Sequence, residues 1–495
     1  MRQLIIASNR GPVEYYLKED GTYASRRSPG GMVTAMLSFA RSTRATWVSM
    51  AVTPGDRLAL ERSGNTISFL DQTTSHEKGL RLRSVLVEED AYRKYYNILS
   101  TELLWFTHNY LYDLVESAQS GVTEQQALDA WVNGYCIANC AIADAVCEEI
   151  GLSPESTVIM LQDNLLYLVS SLIRQRYPKV LIQQFLHWPW PDIRYLSFLP
   201  SPIIQDLYQG LAGCDIIGFQ TERDLHNFVE GVNIFLPGAI VAPNERAFKL
   251  NEHHIWLRSY PISISVEEER QIVQSREAKE QENYLMQFLD KKIIVRIDRM
   301  DPIKNIIRGF QAYEQLLITH PELQGKVHFL AFLLPTRENA ALYQRYKDSI
   351  LSQIEEINRA YGNASWTPIH PFVGNNRVRS LVALQWYDVL LVNSIADGMN
   401  LIAKEGPAVN QRDGVLVLSR STGAFEQLGR WSLPVSPTNV TETAQALYQA
   451  LTMSSEERRT RATGARETVE RENLDLWIER QHRDIRDLFT RRGVG

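Results

Sequence analysis

The sequence predicts a mixed α/β protein of two domains, each built on a parallel sheet. Three observations carry that expectation. At 495 residues the chain exceeds what a single hydrophobic core usually holds. Short apolar runs rich in Val, Ile and Leu alternate with longer helix-compatible stretches, the pattern of βαβ units. Polar residues also follow the apolar runs, at the strands' C-terminal ends, where open α/β sheets bind ligands.

Composition narrows the function classes. Apolar residues make up 44% and charged residues 22%, ordinary for a globular chain. A formal net charge of −6 provides no footprint for nucleic acid or an anionic membrane surface. The apolar run in the opening MRQLIIASNRGP is too short for a signal peptide. No apolar run approaches the ~18 residues of a spanning helix, so a cytoplasmic location and no membrane partner are expected. Cys136, Cys140 and Cys147 sit at helix-face spacing, which reads as core packing in a reducing compartment, and Cys214 stands apart. Adjacent His253 and His254 cannot share a helix face. No metal and no cofactor are expected. The expected partners are small-molecule substrates, with homo-oligomerisation left open.

The elements follow in order. Residues 3–7 form a short apolar strand running into Ser8-Asn9-Arg10-Gly11-Pro12. A polar, hairpin-like stretch reaches 27, and Ser28-Pro29-Gly30-Gly31 then enters a helix; paired glycines let backbone approach a ligand closely. Residues 47–52 read as a strand. Tyr95, Tyr96, Trp105 and Tyr110 fall in a helical region at a spacing more typical of core than of a ligand platform. From 158 the alternation is regular: strand 158–161 ending at Gln162-Asp163-Asn164, helix 165–176, strand 180–186 ending at His187-Trp188-Pro189-Trp190-Pro191, a further helix, then strand 215–219. Asn9 with Arg10, Asp163 and His187 thus stand at strand ends that can converge on one cleft. A histidine before a proline-rich turn is equally a common structural device.

Pro237, Pro243 and Pro261 mark an irregular stretch, where the expected boundary divides 1–240 from 241–474. A charged helix over 267–290 opens the second alternating unit. Strand 292–297 leads into Asp298-Arg299-Met300-Asp301-Pro302-Ile303-Lys304-Asn305, followed by helix 306–318. Strand 327–334 ends at Pro335-Thr336-Arg337, and a long helix covers 338–360. Strand 388–394, a final strand at 415–418 and a helical tail including 477–489 complete the reading.

The chemistry concentrates in Asp397-Gly398-Met399-Asn400-Leu401-Ile402-Ala403-Lys404-Glu405, a turn from a buried strand into a short helix. Amides from Gly398 to Leu401 point toward a ligand there, and the helix dipole favours an anion. Glu405 lies on the same helix face as Leu401 and can accept hydrogen bonds from a pair of hydroxyls. The plain alternative is Asp397 as a helix cap and Glu405 as a solvated carboxylate. Arg299 and Lys304 bracket a strand-end turn, a fork and a point charge that can straddle a diphosphate. The first unit carries no G-x-G-x-x-G, and no G-x-x-x-x-G-K-[ST] occurs anywhere, so dehydrogenase and P-loop readings are weak.

Together these residues resemble the trehalose-6-phosphate synthase family, retaining glycosyltransferases of the two-domain type called GT-B. The resemblance runs from Ser8-Asn9-Arg10 to Trp477. It rests on Asp397-Gly398-Met399-Asn400-Leu401 with Ala403-Lys404-Glu405, on Arg299 with Lys304, on Gly30-Gly31 and on the His187-x-Pro-x-Pro turn. Gly218-Phe219-Gln220-Thr221 and Ser365-Trp366-Thr367-Pro368 also match. It implies two Rossmann-like domains with parallel sheets facing across a cleft, the first holding the acceptor and the second the nucleotide sugar, with helix 475–495 packing back on the first. It implies that Arg299 and Lys304 bind the donor diphosphate and Glu405 the ribose. Asp397, Gly398, Met399, Asn400 and Leu401 would hold the donor sugar and phosphate, and Gly31 would close over the donor. His187 would contact the donor sugar at the transferring centre. Arg10, Tyr96, Trp105, Asp163 and Arg337 would hold a sugar-phosphate acceptor, the two arginines near its phosphate. The implied reaction is retaining transfer of a sugar, glucose first, from a UDP- or GDP-linked donor to a sugar phosphate by a front-face path. His187, Arg299, Lys304 and Asp397 would carry the catalysis.

The chain also departs from the family. The usual His-Asp-Tyr-His is Gln162-Asp163-Asn164-Leu165, Met50 replaces a tryptophan, Ser263 a glycine, and Asn305 the glycine after the diphosphate lysine. The Pro302–Asn305 variant and Leu165 resemble the validoxylamine-type pseudo-glycosyltransferase branch, which couples a nucleotide cyclitol to an amino-cyclitol phosphate. A glucosylglycerol-phosphate synthase or a non-catalytic sugar-phosphate sensor would also accommodate these departures.

Overall fold

The computed structural model describes residues 3–28, 31–40, 45–63, 66–68, 80–111, 122–152, 154–242, 244, 246–337 and 340–493. After β1 (Gln3–Ser8), a hairpin of β2 (Val13–Leu17) and β3 (Tyr23–Arg27) leaves the main sheet. That sheet continues with β4 (Ala45–Met50), β5 (Thr66–Ser68), β6 (Leu80–Val85), β7 (Thr157–Gln162), β8 (Leu181–Phe185), β9 (Ile216–Phe219), β10 (Ile240–Ala242), β11 (Ala247–Leu250) and β12 (His253–Ser259). Its order is β10-β11-β12-β9-β8-β7-β1-β4-β6-β5, with antiparallel pairing only at the two edges. Strands β4, β7 and β8 are buried along their whole length, as strands covered by helices on both faces must be.

The second sheet comprises β13 (Lys292–Arg299), β14 (Val327–Leu334), β15 (Ile369–Val373), β16 (Val389–Val392), β17 (Val415–Ser419) and β18 (Leu433–Val435). All its pairings are parallel, in the order β15-β14-β13-β16-β17-β18. Renumbered from its own first strand this is 3-2-1-4-5-6, the doubly wound order that opens a ligand crevice where the winding reverses. The reversal falls between β13 and β16. In the first sheet it falls between β1 and β7.

The chain leaves the first compact unit at Tyr260, because β11 and β12 still pair into its sheet. Pro261–Trp477 belongs to the second unit, and Ile478–Gly495 returns to the first. In that return Gln183 Nε2 donates to Gln481 Oε1 at 2.7 Å, and the Tyr260 hydroxyl donates to Asp484.

Several elements differ from the sequence reading. The helix after β7 begins at Val169 rather than 165, because Asp163 takes a left-handed φ of 78° and residues 164–168 form turns. The charged stretch 267–290 is two helices, Val266–Val273 and Arg276–Leu285; Ser275 breaks it and caps the second, its side chain accepting from Ala278 N. The strand at 415–418 is not the last, since the three-residue β18 follows. β15 and helix Arg377–Trp386 are further elements that the apolar pattern does not mark. Lys94–Leu104 and Trp131–Cys136 are π-helical and pack together, a rare winding that is common near functional sites.

Candidate active site

In the second unit the reversal point gathers charge. β13 ends at Arg299, which is exposed. Fully buried Arg296 and buried Asp298 form an ion pair on one strand face, Nη2 to Oδ2 at 2.7 Å. Arg296 also donates to the carbonyls of Lys304 at 2.9 Å and Ile306 at 3.2 Å, which fixes the turn bearing Lys304. Asp301 caps that turn, accepting from Ile303 N at 3.2 Å. Asn305 closes it at φ 56°, ψ 40°, with its amide donating to the carbonyls of Asn393 and Pro437. The family's glycine and this asparagine serve one need, since both tolerate the left-handed region.

Lys304 pairs with Asp397 across the reversal. Asp397 Oδ2 also accepts from Asn400 Nδ2 at 3.1 Å and Ser394 Oγ at 3.4 Å. Asp397 is therefore not the cap of helix Ile402–Val409; Asn400 Oδ1 takes the Ala403 N–H instead, at 3.3 Å. The positive end of the helix dipole faces Gly398, Met399, Asn400 (φ 70°) and Leu401, a setting that favours an anion. Lys404 is a buried strut, Nζ donating to Ile262 O at 2.6 Å.

Glu405 is 6% exposed, which rules out the solvated alternative. Arg377 Nη1 lies 3.5 Å from Glu405 Oε1 and also pairs with Glu269. Burial raises the pKa of both carboxyls against the guanidinium, and for Glu269 burial and the Glu405 charge bring it to about 7. Arg337, after β14, sits at φ 48°, pairs with Asp301 at 3.4 Å, and donates to the Tyr343 hydroxyl. Arg299 and Arg337 both bear electrostatically on Tyr343, whose pKa burial nonetheless raises.

In the first unit the corresponding strand ends carry Arg10, Asp163 and His187. The turn after β1 is pinned by Trp47 Nε1 donating to Ser8 Oγ at 2.8 Å and by Ser8 Oγ donating to Arg10 O at 2.6 Å; Arg10 itself is exposed. Asp163 follows β7 in the left-handed region, its Oδ1 accepting from Asn164 N at 2.8 Å. A strained non-glycine residue at a strand end points to a site that requires it. His187 follows β8, edge-on to Phe185 at 4.6 Å, and burial lowers its pKa to about 3, so the ring is neutral. Gln162 Oε1 accepts from His187 Nε2 at 3.1 Å. Arg10, Asp163 and His187 thus follow three adjacent strands.

The predicted aromatics divide. Half-buried Tyr96 stacks on Tyr92 at 5.7 Å, and Tyr92 feels the charge of Arg10. Buried Trp105 meets the edge of Trp188, next to His187, at 4.9 Å. Gly31 is the first residue of helix Gly31–Ala40, and Gly30 lies outside the described residues. Sequence reasoning misses Gln162, Glu269, Arg377 and the Arg296–Asp298 pair. Only the last leaves a signal, an Arg and an Asp two residues apart in an apolar strand. Among the described residues no group of three or more His, Cys, Asp or Glu has the geometry to hold a metal ion, and no helix is long and apolar enough to cross a membrane.

A model of glycosyltransferase family 20 matches residues 2–487. The chain is 28% identical over 464 residues to the UDP-forming α,α-trehalose-phosphate synthase of Schizosaccharomyces pombe, covering 92% of this chain and 85% of that one. With the corresponding enzyme 1 of Aspergillus fumigatus it shares 30% over 463 residues, covering 92% and 84%. An E. coli trehalose-6-phosphate structure bound with UDP-2-fluoro glucose superposes with a TM-score of 0.81 at 25% identity, covering 97% and 98%. A UDP-forming trehalose-phosphate synthase from Burkholderia xenovorans gives 0.80 at 26%, covering 98% and 99%.

Proposed function

The chain belongs to glycosyltransferase family 20, and from that premise we propose that it transfers glucose from UDP-glucose to glucose 6-phosphate, with retention, releasing UDP. It is a glycosyltransferase of the trehalose-6-phosphate synthase kind, moving a sugar to a sugar phosphate. The relatives are UDP-forming, and one similar structure holds a UDP-glucose analogue, which favours uridine over the guanosine alternative.

The observation that carries the reading is the charge gathered at the β13–β16 reversal: Lys304 held on Asp397 beside a helix N-terminus. Arg299, Lys304 and the helix amides stabilise the negative charge that grows on the departing diphosphate. Glu405, held near Arg377, accepts the ribose hydroxyls. In the first unit Asp163 and neutral His187 engage the sugars, Tyr96 and Trp105 wall the acceptor, and Arg10 binds its phosphate. The leaving phosphate accepts the proton of the attacking acceptor hydroxyl, so no separate carboxylate base is required.

The pseudo-glycosyltransferase reading rests partly on Asn305. That residue keeps the left-handed turn a glycine would supply, which weakens its value as a marker of different chemistry. The proposal is tested by offering UDP-glucose, GDP-glucose and ADP-glucose with glucose 6-phosphate or glycerol 3-phosphate and measuring released nucleoside diphosphate. UDP release that depends on glucose 6-phosphate is expected. Nucleotide-sugar binding by calorimetry without release for any pair would sink it in favour of the cyclitol-coupling or sensor readings.

A further inference from the structure

The family's His-Asp-Tyr-His reads Gln-Asp-Asn-Leu here, and the three replacements differ in what their side chains do. Asn164, 0% exposed, is fully employed: Nδ2 donates to the Tyr167 hydroxyl at 2.6 Å and Oδ1 accepts from Trp188 N at 3.0 Å. The Tyr167 hydroxyl continues to His108 Nε2 at 3.0 Å, and His108 Nδ1 to Pro189 O at 2.7 Å, so this network braces the turn that carries His187. Leu165 is buried in the core and needs no polar partner.

Gln162 is different. It is also 0% exposed, and its Oε1 accepts from His187 Nε2, yet its amide nitrogen has no partner. A carbonyl oxygen only accepts, so this contact places the imidazole proton on Nε2 and leaves Nδ1 as the lone-pair nitrogen. The idle Nε2 is bonded to the same carbon as that oxygen, so it stands beside the same imidazole, one residue before strained Asp163. Leaving a buried amide donor unsatisfied costs about 1–3 kcal/mol, a cost a bound polar group would remove.

We propose that Gln162 is a specificity-determining residue for the acceptor: its carbonyl fixes the tautomer of His187 while its amide N–H donates to one hydroxyl of the acceptor sugar. The inference rests on the glycosyl-transfer reading above. The site thereby takes an acceptor with an oxygen at that point and discriminates against one lacking it, as buried donors do when a substrate hydroxyl is missing. Histidine at this position would offer a ring nitrogen instead, so the substitution changes which acceptor hydroxyl is read without touching the donor's charged residues.

The test pairs a side-chain deletion with hydroxyl deletions. The 2-, 3- and 4-deoxy derivatives of glucose 6-phosphate are offered with UDP-glucose to the parent and to Gln162→Met, a substitution of similar length without the amide. In the parent, one deoxy acceptor is expected to lose about tenfold in kcat/KM, the worth of one neutral hydrogen bond. In Gln162→Met the same deletion should cost less than about threefold. A residue that only supports the fold would lower every acceptor by one factor. Equal losses for each deoxy acceptor in both proteins would overturn the inference and leave glycosyl transfer standing. A parent that releases no UDP with glucose 6-phosphate would overturn that reading, and this inference with it.

Discussion

The two units share a doubly wound plan and place their candidate residues at strand C-terminal ends, yet they furnish them with different chemistry. In the second unit the β13–β16 reversal holds Arg299, Lys304, Asp397, a helix N-terminus and a buried Glu–Arg–Glu cluster. In the first unit the ends of β7 and β8 hold a neutral histidine, two amides and aromatic rings, with Asp163 and Arg10 the nearby charges. The difference matches two kinds of ligand. A diphosphate leaving group needs cations and oriented dipoles, whereas a sugar's hydroxyls are met by hydrogen-bonding side chains, neutral or anionic, and by aromatic walls.

The strongest way to break that comparison is to remove the charge. Arg299→Ala and Lys304→Ala should each lower turnover on the order of 10²-fold or more. Turnover within a few-fold of the parent would end the diphosphate assignment.

Next comes the support beneath Lys304. A Cβ on Gly309 would lie 2.2 Å from Arg296 Nη1, the guanidinium that holds the Lys304 carbonyl. Gly309→Ala should therefore destabilise by about 2–3 kcal/mol, as overpacking of a dense core does. Thermal unfolding measures it, and an unchanged midpoint would deny that packing.

The Glu269–Arg377–Glu405 cluster sharpens the comparison through pH. Glu269's folded pKa of about 7 stands above its ordinary 4.5, so the folded state holds a proton that the unfolded state has released. Its contribution is present at low pH and is lost as pH rises from about 4.5 through about 7. Glu269→Gln should gain stability relative to the parent between pH 5 and pH 8, on the order of 2 kcal/mol. Parallel stability–pH curves would contradict it.

The smallest effect belongs to Asn305. Asn305→Gly keeps the left-handed turn and loses three side-chain hydrogen bonds, two donated to Asn393 O and Pro437 O and one accepted from Arg308. About 1–2 kcal/mol of stability should go with them. Equal loss of turnover for Asn305→Gly and Lys304→Ala would show that the side-chain anchoring of the turn matters as much as the lysine's charge.

The same contrast explains what is legible in the sequence. The charged site is written within Arg299–Asn305 and Asp397–Glu405, where spacing alone suggests a strand end and a helix start. Its supports are harder to see, because Glu269 comes from a stretch that reads as charged helix and Arg377 from a helix the apolar pattern does not mark. The neutral site is assembled from residues far apart in the chain, and its tasks depend on which amide meets which ring. Gln162 looks like a lost histidine in sequence and a working partner of His187 in three dimensions. The alternating strands are visible because buried parallel strands are continuous apolar runs. β15, with its polar His370 and Pro371, and the three-residue β18 fall below that signal. Asp163 displaces a helix start because its left-handed φ has no sequence signature in an aspartate.

The division of labour between the units is tested most directly by titrating UDP into the parent, Lys304→Ala and Asp163→Asn by calorimetry. Asparagine tolerates the left-handed region, so Asp163→Asn preserves the backbone while removing the charge. UDP binding should weaken at least tenfold in Lys304→Ala, for the loss of a charge-assisted contact, and stay within about twofold of the parent in Asp163→Asn. Equal weakening in both variants would contradict the assignment of the diphosphate to the second unit and of Asp163 to the sugars.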